Sequence, residues 1–167
     1  NSLSNSDSHE TADAVYQEAN RLCESIPESD LTEQLQMERG EGLYIHAKTL
    51  QHLGRDLEAV EYVTQTKLVL RPRSTNGAQP TLALSMHCLA ACHSNLENCQ
   101  LAFEFCEQAE VAYRALSDSE LSSIAAEFAG LAILRSELCQ HLHGAEQAEA
   151  QLFETIQFFE STKSLNH

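Results

Sequence analysis

Four residues in one short stretch have the chemistry to hold a metal ion: His87, Cys88, Cys92 and His93. On a helix, Cys88 and Cys92 stand one turn apart, so their thiolates could close on a zinc ion with His87 or His93 beside them. The same cysteines adjoin the apolar series Met86, Leu89 and Ala90, where a free cysteine behaves as a small hydrophobe. No second spaced pair supplies the remaining ligands, so the stretch reads as helix core. Cys139, His141 and His143 form a second group, but at an expected helix end, where imidazoles satisfy carbonyls and complement the helix dipole. His46 stands in an apolar series and reads as a hydrogen-bonded core histidine. Neither a metal nor a cofactor is expected.

Catalytic signatures are missing as well. There is no Gly-rich phosphate loop, nucleophile elbow or His-Glu-x-x-His pattern. Glu104, Glu107 and Glu110 are spaced along a helix and read as a solvated face. The expectation is a protein that is not an enzyme, with no catalytic residues.

The 167 residues carry a formal charge of -15, from 25 acidic and 10 basic side chains. Up to Pro72 there are 13 acids and 6 bases, and beyond it 12 and 4, so the acidity is spread along the chain. A nucleic-acid partner is excluded on this reading, because phosphate recognition needs a basic stripe. Lys67, Arg71 and Arg73 come nearest to one, and they read as solvated charges near a helix end. No apolar run reaches transmembrane length and no signal peptide opens the chain, so neither a membrane partner nor export is expected. The six cysteines fall mostly at apolar helix positions, which suits buried thiols in a reducing, cytoplasmic setting. Because the chain opens at Asn1 without Met, a piece of a longer protein is expected.

Hydrophobic residues make up 43% of the chain and aromatics 6%, with three prolines and six glycines, so long helices on short turns are favoured over strands. Residues 1–7 read as a disordered N-terminal segment and 8–163 as one helical domain. The first helix is expected to start at Asp7 with Glu10 as a capping box. It runs through Ala12, Val15, Ala19, Leu22 and Cys23 to Pro27. Asp30 and Glu33 open the next, with Leu35, Leu43, His46, Ala47, Leu50 and Leu53, and Gly54 ends it. Leu57, Val60, Val63, Leu68 and Leu70 lead to Pro72, and 73–79 form a loop. From Pro80, a helix carries Leu82, Met86, Leu89, Ala90 and His93. Then come Leu101, Phe105, Cys106, Ala109, Ala112, Tyr113 and Leu116. Ser117 and Glu120 cap a helix through Ile124, Phe128, Leu131 and Leu138, and after His143 and Gly144 a last helix carries Ala148, Leu152, Ile156 and Phe159. The fold class is all-α, with about seven helices: one lone helix, then hairpins over about 30–72, 80–116 and 118–163.

The segments from Gly54, Asn98 and Gly144 resemble one another. Ala59, Ala102 and Ala148 are 43 and 46 residues apart, each with an apolar residue four places on. In the first two hairpins a second small residue precedes by 12 positions, Ala47 to Ala59 and Ala90 to Ala102. Leu43, His46, Ala47, Leu50, Ala59 and Val63, with Pro72 one place late, match the tetratricopeptide pattern W-x2-L-G-x2-Y, A-x3-F, P. Met86, Leu89, Ala90, His93, Ala102, Cys106 and Ala109 match it again. Phe128, Leu131, Ala132 and Arg135 offer a third set, but Ala132 to Ala148 is 16 residues. Residues 30–163 therefore resemble the tetratricopeptide-repeat (TPR) family in degenerate form, with longer units and without the consensus Trp, Gly and Tyr.

The resemblance implies antiparallel hairpins stacked as a right-handed superhelix, whose first helices line a concave groove that grips a peptide or helix of a protein partner. By position, the lining is Glu41, Tyr44, Lys48, Gln51 and His52, then Leu84, His87, Ala91, Ser94 and Asn95. Of the Lys and Asn side chains with which some members clamp a peptide carboxylate, Lys48 and Asn95 remain, so that activity is not expected. The function expected is a non-enzymatic interaction scaffold; the alternative is a regulatory or sensory input domain of a signalling or transcription protein. Phe158 falls off the apolar stripe of the last helix, which makes that helix a candidate surface for a further repeat or self-association.

Overall fold

The computed structural model describes residues 2–27, 32–70 and 80–164, and these hold eight helices and no strand. The helices are α1 (Ser2–Glu24), α2 (Glu33–His52), α3 (Asp56–Val69), α4 (Pro80–Asn95), α5 (Cys99–Arg114), α6 (Asp118–Ser123), α7 (Ala125–His143) and α8 (Ala145–Ser164). They fall into two compact units, Asn1–Asn76 and Gly77–His167, where the sequence suggested one domain. The expected cap at Asp30, Arg71, Pro72 and the loop 73–79 lie outside the described residues.

In the first unit, α2 and α3 form a hairpin with α1 packed on α2. Residues 2–7, expected to be disordered, are helical, so Asp7 lies inside α1 and not at its start. That stretch contains no glycine or proline, and polar side chains alone lower helix propensity only slightly. Thr32 caps α2, its hydroxyl accepting from the Leu35 amide at 3.2 Å. The core is built from Leu43, Ala47, Leu50, Ala59, Val63 and Leu70. Gly40 sits at a close approach: a Cβ there would meet the side chain of Leu70, which would have to shift.

In the second unit, α4–α5 and α7–α8 are hairpins, and α5 packs on α7. Its core includes Ala83, Ala90, Ala102, Phe103, Cys106, Ala109, Tyr113, Phe128 and Leu131. The expected cap at Ser117 forms, with the Ser117 amide donating to Glu120 at 2.9 Å. The hydrogen bonds from Ser117 hold the Glu120 carboxyl below its usual pKa. The helix expected from there breaks in two at Ile124, which is the source of the eighth element.

The α2–α3 and α4–α5 turns are copies of each other. Arg55 N–H donates to the Leu50 carbonyl at 2.9 Å, and Asn98 N–H, 43 residues later, donates to the His93 carbonyl at 2.9 Å. Gly54 to Gln51 and Glu97 to Ser94 match at 3.0 Å each. The turn needs a left-handed residue at its centre. Gly54 supplies it at φ 72°, and Glu97 adopts it at φ 61° against the preference of a side-chain-bearing residue. The 43-residue spacing is thus a repeat of backbone geometry as well as of residue type.

Small residues are fully buried between the helices of the first two hairpins: Ala47 and Ala59 in α2–α3, Ala90 and Ala102 in α4–α5. Replacing Ala102 with Leu is expected to lower the stability of its unit by about 1–3 kcal/mol, since the helices leave no room for three more carbons. The matching Leu at exposed Glu104 is expected to leave the thermal midpoint nearly unchanged. Equal midpoints for the two variants would remove Ala102 from the crossing.

Several helices face the core on a different side than their bulky residues suggest. In α3, Leu57 and Leu68 lie outside, and Ala59, Val63, Thr66 and Leu70 are buried. In α8, Leu152 and Ile156 are exposed, and Ala148, Thr155, Phe158 and Phe159 face inward. Thr66 and Thr155 can be buried because each hydroxyl donates to the carbonyl four residues earlier, at 3.0 and 3.1 Å. Small inward residues let helices approach closely, and that packing outweighs burial of the larger ones.

Candidate functional site

On α2, Tyr44, Lys48 and Gln51 stand at i, i+4 and i+7 and so share one face. All three are half-buried, and the Lys48 ammonium donates to the Gln51 side-chain carbonyl at 3.0 Å. Glu41 lies in an open depression of about 600 Å³, lined also by Thr32, Glu33, Gln34, Met37 and Glu38. His52 is exposed at the end of the helix. The first unit thus presents an aromatic ring, a cation and an amide together, with carboxylates toward the N-terminal end of α2.

In the second unit the matching positions are less open. Leu84, His87, Ala91 and Ser94 are half-buried, and Asn95 is exposed. Leu84 packs against the hydrophobic core. His87 Nδ1 lies 3.4 Å from the Tyr113 hydroxyl, and its Cε1 is close to Gly130 of α7. His87 therefore serves the packing of α4 against α5 and α7.

The cysteines are all free thiols, with Cys88, Cys92, Cys106 and Cys139 buried. Burial pushes the Cys106 thiol up to about 12, which leaves it protonated and unreactive. His93 stacks on Phe105 with ring centroids 5.3 Å apart, and burial lowers its pKa. Among the described residues, no group of three or more His, Cys, Asp or Glu side chains is placed to hold a metal ion.

Two polar networks connect helices distant in sequence. In the first unit, the ring of His46 is fully buried. Its Nε2 lies 2.6 Å from Asp13 Oδ1, and its Nδ1 lies 3.1 Å from the Asn20 amide nitrogen. The amide can only donate, so Nδ1 accepts and the Nε2 proton goes to Asp13. The other Asp13 oxygen is bound by Arg55, which also makes a bidentate pair with Glu58 at 2.7 and 2.6 Å. Burial acts to raise the Asp13 pKa, but the hydrogen bonds from His46 and Arg55 and the Arg55 charge outweigh it. The carboxyl is held below its usual value.

In the second unit, Glu110 is buried and is gripped by Arg114 at 2.6 and 2.9 Å and by Arg135 of α7. The sequence placed Glu110 on a solvated face with Glu104 and Glu107. Those two are exposed, whereas the packing of α7 over α5 covers Glu110. Phe158 is likewise not free: it packs against Phe128 at 5.8 Å and under the Arg114 guanidinium at 4.5 Å. Phe153, 61% exposed, is the most exposed of the bulky residues of α8, ahead of Ile156 and Leu152. The i, i+3 pair Arg55–Glu58 and the i, i+4 pair Glu110–Arg114 could have been found from spacing. Nothing local links Asp13 to His46 or Glu110 to Arg135.

No helix is long and apolar enough to cross a membrane among the described residues. No family model, curated protein or solved structure matches the chain.

Proposed function

We propose that this protein is a TPR-like, non-enzymatic scaffold of the cytoplasm that binds a peptide or helix of a protein partner along the outer face of α2. The observation that carries this reading is the cluster Tyr44–Lys48–Gln51. It joins an aromatic ring, a cation and an amide on one half-buried face of α2. The repeated hairpin turn supports the kinship, since spacing and backbone agree at 43 residues. A Tyr beside a cation suits a segment with both apolar and acidic or carbonyl groups, and Tyr is frequent among residues that dominate binding energy. Glu33, Glu38 and Glu41 at the N-terminal end of α2 favour a segment with a basic end.

The test is selection of binders from a random peptide library, followed by titration of the best onto variants of the whole chain. Tyr44→Ala with Lys48→Ala is expected to weaken binding about 30-fold, the effect of losing roughly 2 kcal/mol. Phe153→Ser on α8 is expected to have no effect. The reverse pattern would place the interaction surface on the last helix and overturn the proposal.

A further inference from the structure

Helix α8 turns three large apolar side chains away from its own unit. Its inward residues are Ala148, Thr155, Phe158 and Phe159, and the last two pack on Phe128 of α7. On the other side Leu152, Phe153 and Ile156 are 36%, 61% and 47% exposed. Among the described residues, no other helix exposes more than two bulky apolar side chains in this way. A single exposed leucine is ordinary, but three side by side on one helix face mark a contact surface.

The three residues stand within an arc of about 100° around the helix. Glu149, four residues before Phe153, and Glu160, four after Ile156, lie on the same arc, so an exposed carboxylate closes the patch at each end. Along the helix axis these two are separated by roughly 16 Å. Glu146 and Glu154 are exposed as well, and residues 145–161 hold no Lys, Arg or His. The face is thus apolar at its centre and acidic at both ends.

We propose that this face of α8 is a docking site for a basic amphipathic helix of a protein partner. That helix lays an apolar stripe on Leu152, Phe153 and Ile156 and sets a Lys or Arg against Glu149 and another against Glu160. Charge decides the occupant. A second copy of this chain fits poorly, because an antiparallel two-fold pairing of α8 about Phe153 sets Glu146 opposite Glu160, and a parallel one sets every glutamate beside itself. An anionic lipid surface is repelled by the same carboxylates. The site is additional to the face of Tyr44 and Lys48, which belongs to the other unit. A peptide held at Tyr44 and Lys48 does not depend on Phe153, nor the basic helix on Tyr44 and Lys48, so the two readings fail separately.

The probe is a labelled synthetic helix with leucines at i, i+3 and i+4 and a lysine four residues beyond each end, titrated onto the whole chain. Saturable binding is expected, weakening as salt is raised. Phe153→Ser with Ile156→Ser is expected to weaken it at least about tenfold. Glu149→Gln with Glu160→Gln, which keeps the apolar patch, is expected to weaken it roughly threefold and to flatten the salt dependence. Tyr44→Ala with Lys48→Ala is expected to leave it unchanged. A second probe with glutamates in place of the lysines is expected to bind at least about tenfold more weakly than the first. The proposal is overturned if the Phe153 and Ile156 variant binds as the natural chain does, or if the two probes bind equally or not at all. Sedimentation of the natural chain as a dimer that Phe153→Ser splits would overturn it in favour of a second copy.

Discussion

Replacing Phe128 with alanine is expected to cost about 3–5 kcal/mol and to free α8 from its unit before the rest unfolds. Phe128 is 1% exposed and stands at the centre of an aromatic cluster. Tyr113 stacks on it at 4.9 Å with an interplanar angle of 10°, Phe159 lies at 4.8 Å and Phe158 at 5.8 Å. Two of these rings belong to α8, whose other inward residues, Ala148 and Thr155, are small. The docking of α8 therefore depends on the contact of Phe158 and Phe159 with this one ring more than on Leu152, Phe153 and Ile156, which are exposed. Urea denaturation measures the loss of stability, and hydrogen exchange reports whether α8 amides lose protection first. Phe128→Leu, which refills most of the space, is expected to recover more than half of the loss. If the alanine variant loses less than 1 kcal/mol, the aromatic cluster is not what fastens α8.

Glu110→Ala is expected to destabilise the second unit by about 3 kcal/mol, a magnitude unusual for a charged residue on a helix. The Arg135 side chain is 14% exposed, and its Nε, itself buried, has no hydrogen-bond partner. With Glu110 gone, a largely desolvated guanidinium on α7 is left without a counter-charge, the case in which removal of one partner is most costly. Arg114, more exposed and also stacked on Phe158, adjusts more easily. Glu107→Ala on the exposed face of the same helix is expected to be nearly silent. Adding Arg135→Met to Glu110→Ala is expected to recover part of the loss, because it removes the stranded charge and keeps the volume. The double-mutant cycle checks this: additive losses would mean that the two side chains do not act as a pair.

What the sequence determined by itself was mostly local, with the start of α1 and the break at Ile124 as exceptions. Helix existence follows from propensity and the shortage of Gly and Pro. The stops at Gly54 and Gly144 and the Ser117–Glu120 cap form where expected, because caps and turns are local backbone chemistry. The small residues of the hairpin crossings were also legible, from the recurrence of Ala47, Ala59, Ala90 and Ala102 at fixed spacing. Which side of each helix turns inward was legible only where large apolar residues do the packing, as with Leu43, Leu50 and Leu131. In α1, α3 and α8 the phase was decided by neighbours. A buried polar pair or a close approach of small residues outweighed the burial of Val15, Leu57 or Ile156. The polar networks lay beyond sequence reading for the same reason. Asp13 and His46 are 33 residues apart and Glu110 and Arg135 are 25 apart, and no periodicity connects them. Only the tertiary structure brings each pair into a low-dielectric interior, where a hydrogen bond between charged groups is strong and an unpaired one is costly.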